Sequence, residues 1–153
     1  MNLSELIKPE LILTKTSCAS KDELITKLLD KVYDVHQDFS FPKNDVLGFL
    51  FNREHIGGTT LPSGLSVPHS RLGDFDGFIF ALATPGAPIF HEGVQIRLMA
   101  LMLSSLTGGP YYLPTVAALT KISMDGEYFQ RLSGADNAGD FLSIINEKNL
   151  KIA

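Results

Sequence analysis

Cysteine is all but missing from this chain: Cys18 stands alone among 153 residues. A lone thiol closes no internal disulfide, which agrees with a reducing compartment and leaves Cys18 as a small residue with no covalent duty. A positive excess is missing as well. Thirteen Lys and Arg face seventeen Asp and Glu, for a formal net charge of -4, and the basic residues are scattered rather than gathered into a stripe. That distribution argues against nucleic-acid binding and favours a protein partner or a small anion. The N-terminal MNLSELIKPELIL breaks its apolar pattern with Glu5, Lys8 and Glu10, so it resembles neither a signal peptide nor a membrane span. The chain is expected to be cytoplasmic, without direct membrane insertion.

Several sites of known chemistry are absent too. The histidines, at 36, 55, 69 and 91, show no H-x-H, H-E-x-x-H or Cys/His spacing, so no preassembled zinc site is expected, and Glu92 beside His91 does not change that. Neither a Walker A sequence nor G-x-G-x-x-G occurs, which removes the usual nucleotide cradles. Gly64-Leu65-Ser66 opens like a G-x-S-x-G nucleophile elbow, but Pro68 stands where the second glycine is needed. No internal repeat, low-complexity tract or linker is found.

What is present is an ordinary globular composition, 44% hydrophobic and 20% charged, at a length that suits one domain over residues 1–153. Ser20 and Glu23 have capping-box spacing, and Leu24, Leu28 and Val32 then form an apolar helix stripe. A second helix is expected after Pro42, with Val46, Leu47 and Leu50 inward, Arg53 near its end and Gly57-Gly58 as its stop. Residues 65–67 read as a strand end before Pro68. The runs 77–85 and 95–103 read as adjacent strands, the second nearly continuous in apolar residues and so covered on both faces. The Pro- and Gly-rich PGAPIFHEG between them is a loop or hairpin. Beyond Gly108-Gly109-Pro110 a helix is expected, with Tyr112, Val116, Leu119 and Ile122 on one side and Pro114 in its first turn. Short helices follow at about 125–133 and, capped by Asp136, 137–148. Helices at both ends around a group of strands predict a single-domain α/β sandwich with a central mixed sheet.

The chemistry gathers about His69. Arg53 lies upstream at a helix end, Thr59, Thr60, Ser63 and Ser66 lie between, and Ser70 and Arg71 follow at once. These residue types suit a phosphorylated imidazole: a neutral ring nitrogen attacks phosphorus while hydroxyls, backbone N–H groups and a guanidinium hold the anionic oxygens. Transfer between two nitrogens is mostly positioning and charge stabilisation, and it requires no metal and no cofactor.

The run REHIGGTTLPSGLSVPHSR, residues 53–71, resembles the signature of the enzyme IIA domains of the fructose, mannitol and nitrogen-regulatory class in the bacterial phosphotransferase system. Arg53, Glu54, Thr59, Gly64, Val67, Pro68 and His69 fall on its positions with the spacing kept. The resemblance implies the mannitol/fructose-type enzyme IIA fold and a phosphocarrier. Its histidine, His69, accepts phosphate on the tele nitrogen from HPr or a nitrogen-branch HPr-like protein, and passes it to a IIB domain or holds it as a signal to a regulated target protein. Arg53 is then the guanidinium at the site, Thr59, Thr60, Ser66 and Ser70 are candidate phosphate contacts, and Tyr112 takes the place where many members have a second histidine. Gly58, Pro62 and Ser70 depart from the signature. Chain limits that match the domain predict no fused IIB, IIC or HPr module.

Plainer roles compete for the same residues. His69 suits a turn, Arg53 and His36 suit helix C-termini, and His55 and His91 suit a loop surface. Tyr111 and Tyr112 suit the start of a helix, and the serines and threonines suit turns. A regulatory protein-binding module is the second functional reading. A small hydrolase using Ser66 or His69 is a third, with no acidic partner placed by motif.

Overall fold

The structure is a computed structural model describing residues 1–152. A short helix α1 (Leu3–Leu6) and a 3₁₀ turn (Pro9–Leu11) lead into strand β1 (Ile12–Thr16), followed by helices α2 (Lys21–Val35) and α3 (Lys43–Ile56). Five consecutive strands, β2 (Leu65–Ser66), β3 (His69–Leu72), β4 (Phe78–Pro85), β5 (Ile89–His91) and β6 (Val94–Ile96), precede β7 (Leu98–Ser105). Helices α4 (Tyr112–Ser123), α5 (Gly126–Ser133) and α6 (Ala138–Asn146) close the chain.

The main sheet runs β1-β4-β7, with β2 and β3 lying in succession along the far side of β7. β4 and β7 are antiparallel, as in the pairing of Ile79 with Leu103, whereas β1 on β4 and both β2 and β3 on β7 are parallel. The sheet is therefore mixed, as expected. Alternation along its strands divides the core. Phe80, Leu82, Leu98, Ala100 and Met102 face Leu119, Ile122, Phe129, Leu132 and Phe141 of the C-terminal helices. Ile79, Ala81, Met99, Leu101 and Leu103 face Leu24, Ile25, Leu28, Val32, Val46 and Leu50 of α2 and α3. Cover on both faces is why β7 reads as one apolar run; burying each large aliphatic side chain contributes roughly 1.5–3 kcal/mol.

Local signals and structure agree closely at α2. The Ser20 hydroxyl accepts the Glu23 N–H at 3.2 Å, while the Glu23 carboxylate accepts from Ala19 at 3.3 Å, one residue before the reciprocal capping-box partner. Other boundaries differ from expectation. Residues 94–96 leave the long strand and pair with β5 as a hairpin, turned by Glu92 and Gly93, both at positive φ. Helix α6 is capped by Asn137, whose side chain accepts the Asp140 N–H at 2.8 Å; Asp136 instead pairs with Lys15. Strands β1 and β3 were not expected, because neither is long or apolar enough to show a period.

The loop before β2 depends on Gly64. Its φ is +96°, and a Cβ there would sit 2.6 Å from the Gln95 carbonyl oxygen. Its own carbonyl accepts the Arg97 N–H at 2.8 Å, so the backbone has no room to retreat. Gly64→Ala is expected to cost about 2 kcal/mol or more, seen as a lower urea midpoint at unchanged m value.

Candidate functional site

His69 is the first residue of β3, an edge strand that among the described residues pairs with β7 alone. Pro68 lacks an N–H but still contributes to the sheet, since its carbonyl accepts the Met102 N–H at 3.0 Å. The strand alternation sends His69 and Arg71 to the face covered by α4 and Ser70 to the face covered by α3. A cleft of about 900 Å³ lies along this free edge, lined by Arg53, His69, Ser70, Arg71 and Tyr112, with Phe49, Ile56 and Leu113 among its apolar lining.

Tyr112, at the start of α4, places its hydroxyl oxygen 3.2 Å from both ring nitrogens of His69. A point equidistant from the two nitrogens lies on the lone-pair axis of neither. The hydroxyl is thus poised over the imidazole, within hydrogen-bond distance of both nitrogens and committed to neither. Burial raises the Tyr112 pKa, with Arg71 and Arg53 pulling the other way, so the phenol stays a donor at neutral pH. The Arg71 guanidinium carbon lies 5.6 Å from the Tyr112 ring centre, a cation–π placement that aims a second positive charge at the same spot.

His69 is half-buried, and its pKa is lowered, first by burial and then by the Arg53 guanidinium. A hydrogen bond to the Val67 carbonyl and the Glu54 carboxylate oppose this, while Arg71 adds to it. The net result favours a neutral ring with one nitrogen protonated toward Val67 and the other bare. A depressed histidine is protonated only below its ordinary value of about 6.5, so the neutral ring persists through neutral pH. Ring-proton NMR is expected to place the His69 midpoint below that value and to show it rising in Arg53→Gln.

The predicted residues separate into two groups. His69, Arg53, Ser70 and Tyr112 line one cleft. Thr59, Thr60 and Ser66 do not line it. Ser66 is fully buried in β2, and its hydroxyl has no hydrogen-bond partner among the described residues. Thr59 and Thr60 belong to a network behind the cleft, centred on Lys21, whose side chain is only 2% exposed. The Lys21 Nζ lies 2.5 Å from Glu54 Oε2, 2.8 Å from Thr60 Oγ1 and 3.5 Å from Thr59 Oγ1. Thr59 in turn donates its N–H, at 3.4 Å, and its hydroxyl to Glu54. Sequence reasoning passed over Lys21, which reads as a solvated charge in the first turn of an amphipathic helix. Arg71 stands in the sequence among the polar neighbours of His69 but without a role of its own, although two-residue spacing from His69 on a strand puts both on one face. His36 caps the C-terminus of α2, His55 is exposed, and His91 sits in the hairpin 3.7 Å from Glu92.

Fold and site together define a small α/β domain that presents one neutral imidazole, flanked by two arginines, at the open edge of a mixed sheet. The family described as "Phosphoenolpyruvate-dependent sugar phosphotransferase system, EIIA 2" matches residues 5–148, and the chain belongs to it. It is 27% identical over 153 residues to the PTS system 2-O-alpha-mannosyl-D-glycerate-specific EIIABC component of Escherichia coli (strain K12), covering 97% of this chain but 23% of that protein. The chain thus spans about a quarter of that relative's length. It is 24% identical over 148 residues to a nitrogen regulatory protein of Bradyrhizobium diazoefficiens, covering 95% of each. In fold it is similar to the nitrogen regulatory protein IIA-Ntr of Neisseria meningitidis, with a TM-score of 0.74 and 20% identity over 94% of this chain and 98% of that one.

Proposed function

We propose that this protein is a cytoplasmic phosphoryl carrier that accepts phosphate on the tele nitrogen of His69. The observation that carries this reading is the half-buried His69 ring beside Arg53 and Arg71, with its pKa lowered. In the transfer, the bare nitrogen of His69 forms a bond to the phosphorus of a donor phosphohistidine. The donor's own N–P bond breaks, and its electron pair returns to the donor imidazole. Each ring keeps the proton on its other nitrogen, so no water and no net proton is consumed. Arg53, Arg71, the Ser70 hydroxyl and the Tyr112 hydroxyl hold the phosphoryl oxygens.

The donor is HPr or a nitrogen-branch HPr-like protein, and the exposed Phe49, Ile56 (85% exposed) and Leu113 at the rim give such a partner an apolar seat. Whether phosphate then moves to a IIB domain or serves as a signal divides two readings. The EIIABC name of the mannosylglycerate-specific relative supports relay. The nitrogen regulatory relative of nearly equal length, and a tyrosine at position 112, support a protein-binding regulator.

Incubation with phosphoenolpyruvate, enzyme I and HPr tests the first claim: the expected product carries acid-labile, alkali-stable phosphate. No label with HPr or a nitrogen-branch donor would sink it. A chase with IIB domains then separates the readings, since a relay loses its label within seconds and a regulator keeps it.

A further inference from the structure

The buried pair of Lys21 and Glu54 lies outside the cleft, yet it touches both things the cleft needs. Glu54 follows Arg53 directly in the last turn of α3, and consecutive helical residues point about 100° apart. Fixing Glu54 inward on Lys21 therefore fixes the rotation of that turn, and with it the direction in which Arg53 leaves the helix. The same carboxylate accepts the N–H and hydroxyl of Thr59. The Thr59 carbonyl accepts the Val67 N–H at 3.0 Å, and the Val67 carbonyl holds the His69 ring. One ammonium thus stands at the head of two short paths, one ending at the guanidinium and the other at the imidazole. Thr60 closes the arrangement from the side, bonded to Lys21 and bridged to Ser66.

We infer that Lys21 is a positioning residue for phosphoryl transfer: through its buried pairing with Glu54 it holds Arg53 and His69 in register with one another. The inference rests on His69 being the phosphate acceptor. Lys21 does not line the cleft and touches neither substrate nor reacting atom, so its effect must travel through Glu54 and Thr59. It also has an electrostatic side. The charged and titratable groups acting on His69 are Arg53 and Glu54 from α3, Arg71 on its own strand and Tyr112 from α4. Lys21 neutralises the one member of that set that favours a protonated ring. Freed of Lys21, Glu54 would counter Arg53 and reduce the neutral fraction of His69.

The test uses Lys21→Met/Glu54→Gln, which removes both buried charges together and so avoids stranding one of them. Its companion is Lys21→Arg, which keeps the charge but replaces a compact ammonium with a larger planar head. Phosphate uptake from HPr in the presence of enzyme I and phosphoenolpyruvate is expected to fall ten- to a hundredfold in the double variant, the scale of loss that a small misplacement of reacting groups produces. In Lys21→Arg the loss is smaller. The His69 midpoint, read by NMR on the folded proteins, is expected to rise in Lys21→Arg, where Glu54 keeps its charge and a displaced Arg53 acts less on the ring, a change that lower global stability alone would not cause; in the double variant the loss of the Glu54 charge opposes that rise, and phosphate uptake is the readout. Folded variants with wild-type uptake and wild-type His69 titration would overturn the inference. So would failure of both to fold, which would assign the pair to stability alone. If the wild type takes no label, the carrier reading fails by itself, and the titration still decides whether Lys21 governs the state of His69.

Discussion

His69→Gln takes up no acid-labile phosphate from any HPr-type donor and stays folded. Glutamine offers a donor and an acceptor of similar reach but no nitrogen lone pair basic enough to attack phosphorus, because an amide nitrogen's pair is delocalised. The substitution therefore removes the chemistry while keeping a polar side chain in a half-buried site. Little else depends on the ring. It reaches the Val67 carbonyl, which the glutamine amide can still meet as a donor, and the Tyr112 hydroxyl, whose residue lines the open cleft. The strand itself is held by main-chain pairing of His69 with Met102 and by its neighbours through Leu72 with Ser105, none of which uses the imidazole. Unfolding by urea should move by no more than about 1 kcal/mol, while label falls to background. Residual acid-labile label in this variant would place the acceptor elsewhere in the chain.

Arg53→Gln should lower the rate of phosphate uptake by about a hundred- to a thousandfold, the loss that follows removal of one preorganised charge-stabilising donor. Two effects act in the same direction. The guanidinium is the strongest charged contributor to keeping His69 neutral, after burial, so its loss returns the ring toward protonation. It also supplies positive charge beside a phosphoryl group that carries its negative charge on three oxygens during transfer. Arg53→Lys separates these effects. Lysine keeps the charge and so keeps much of the depressed titration, but its ammonium cannot present two parallel N–H groups. Uptake in Arg53→Lys should fall between the two, with a His69 midpoint nearer wild type than in Arg53→Gln. Arg53 is already oriented, since one of its terminal nitrogens donates to the Gly57 carbonyl just past the helix end. A side chain so anchored brings little reorganisation cost to the transfer.

The parts of the site that the sequence made legible are local in the chain. His69, Arg53, Gly64 and Pro68 fall within one run, and the helix ending at Gly57 puts Arg53 at its tip by the ordinary logic of a helix stop. The sheet's centre was legible for a similar reason: 77–85 and 95–103 are apolar enough to be central strands, and β4 and β7 do pair. The hidden parts are those whose meaning comes from a partner far along the chain. Lys21 looks like a helix surface lysine until Glu54, 33 residues later, is folded against it. Thr59 and Ser66 are hydroxyls near the histidine in sequence, yet strand alternation and the loop path turn them away from the cleft. Strand β3 has only Ser70 and Leu72 buried, so no pattern marks it. The cap of α6 was misplaced by one residue because Asp136 and Asn137 are both good caps; the ion pair with Lys15 decides between them.

The edge position of β3 also bears on when the protein becomes competent during folding. Its hydrogen-bonding partner β7 lies some 33 residues downstream, as in the pairing of His69 with Met102, and Tyr112 reaches back across 43 residues. These two contacts of the acceptor thus close long loops, and closures of that kind follow the formation of helices such as α2, whose contacts are near neighbours. A refolding chain should regain its helical signal before its capacity to take phosphate. The label would then report completed tertiary assembly, so a partly folded chain would draw no phosphate from the donor pool.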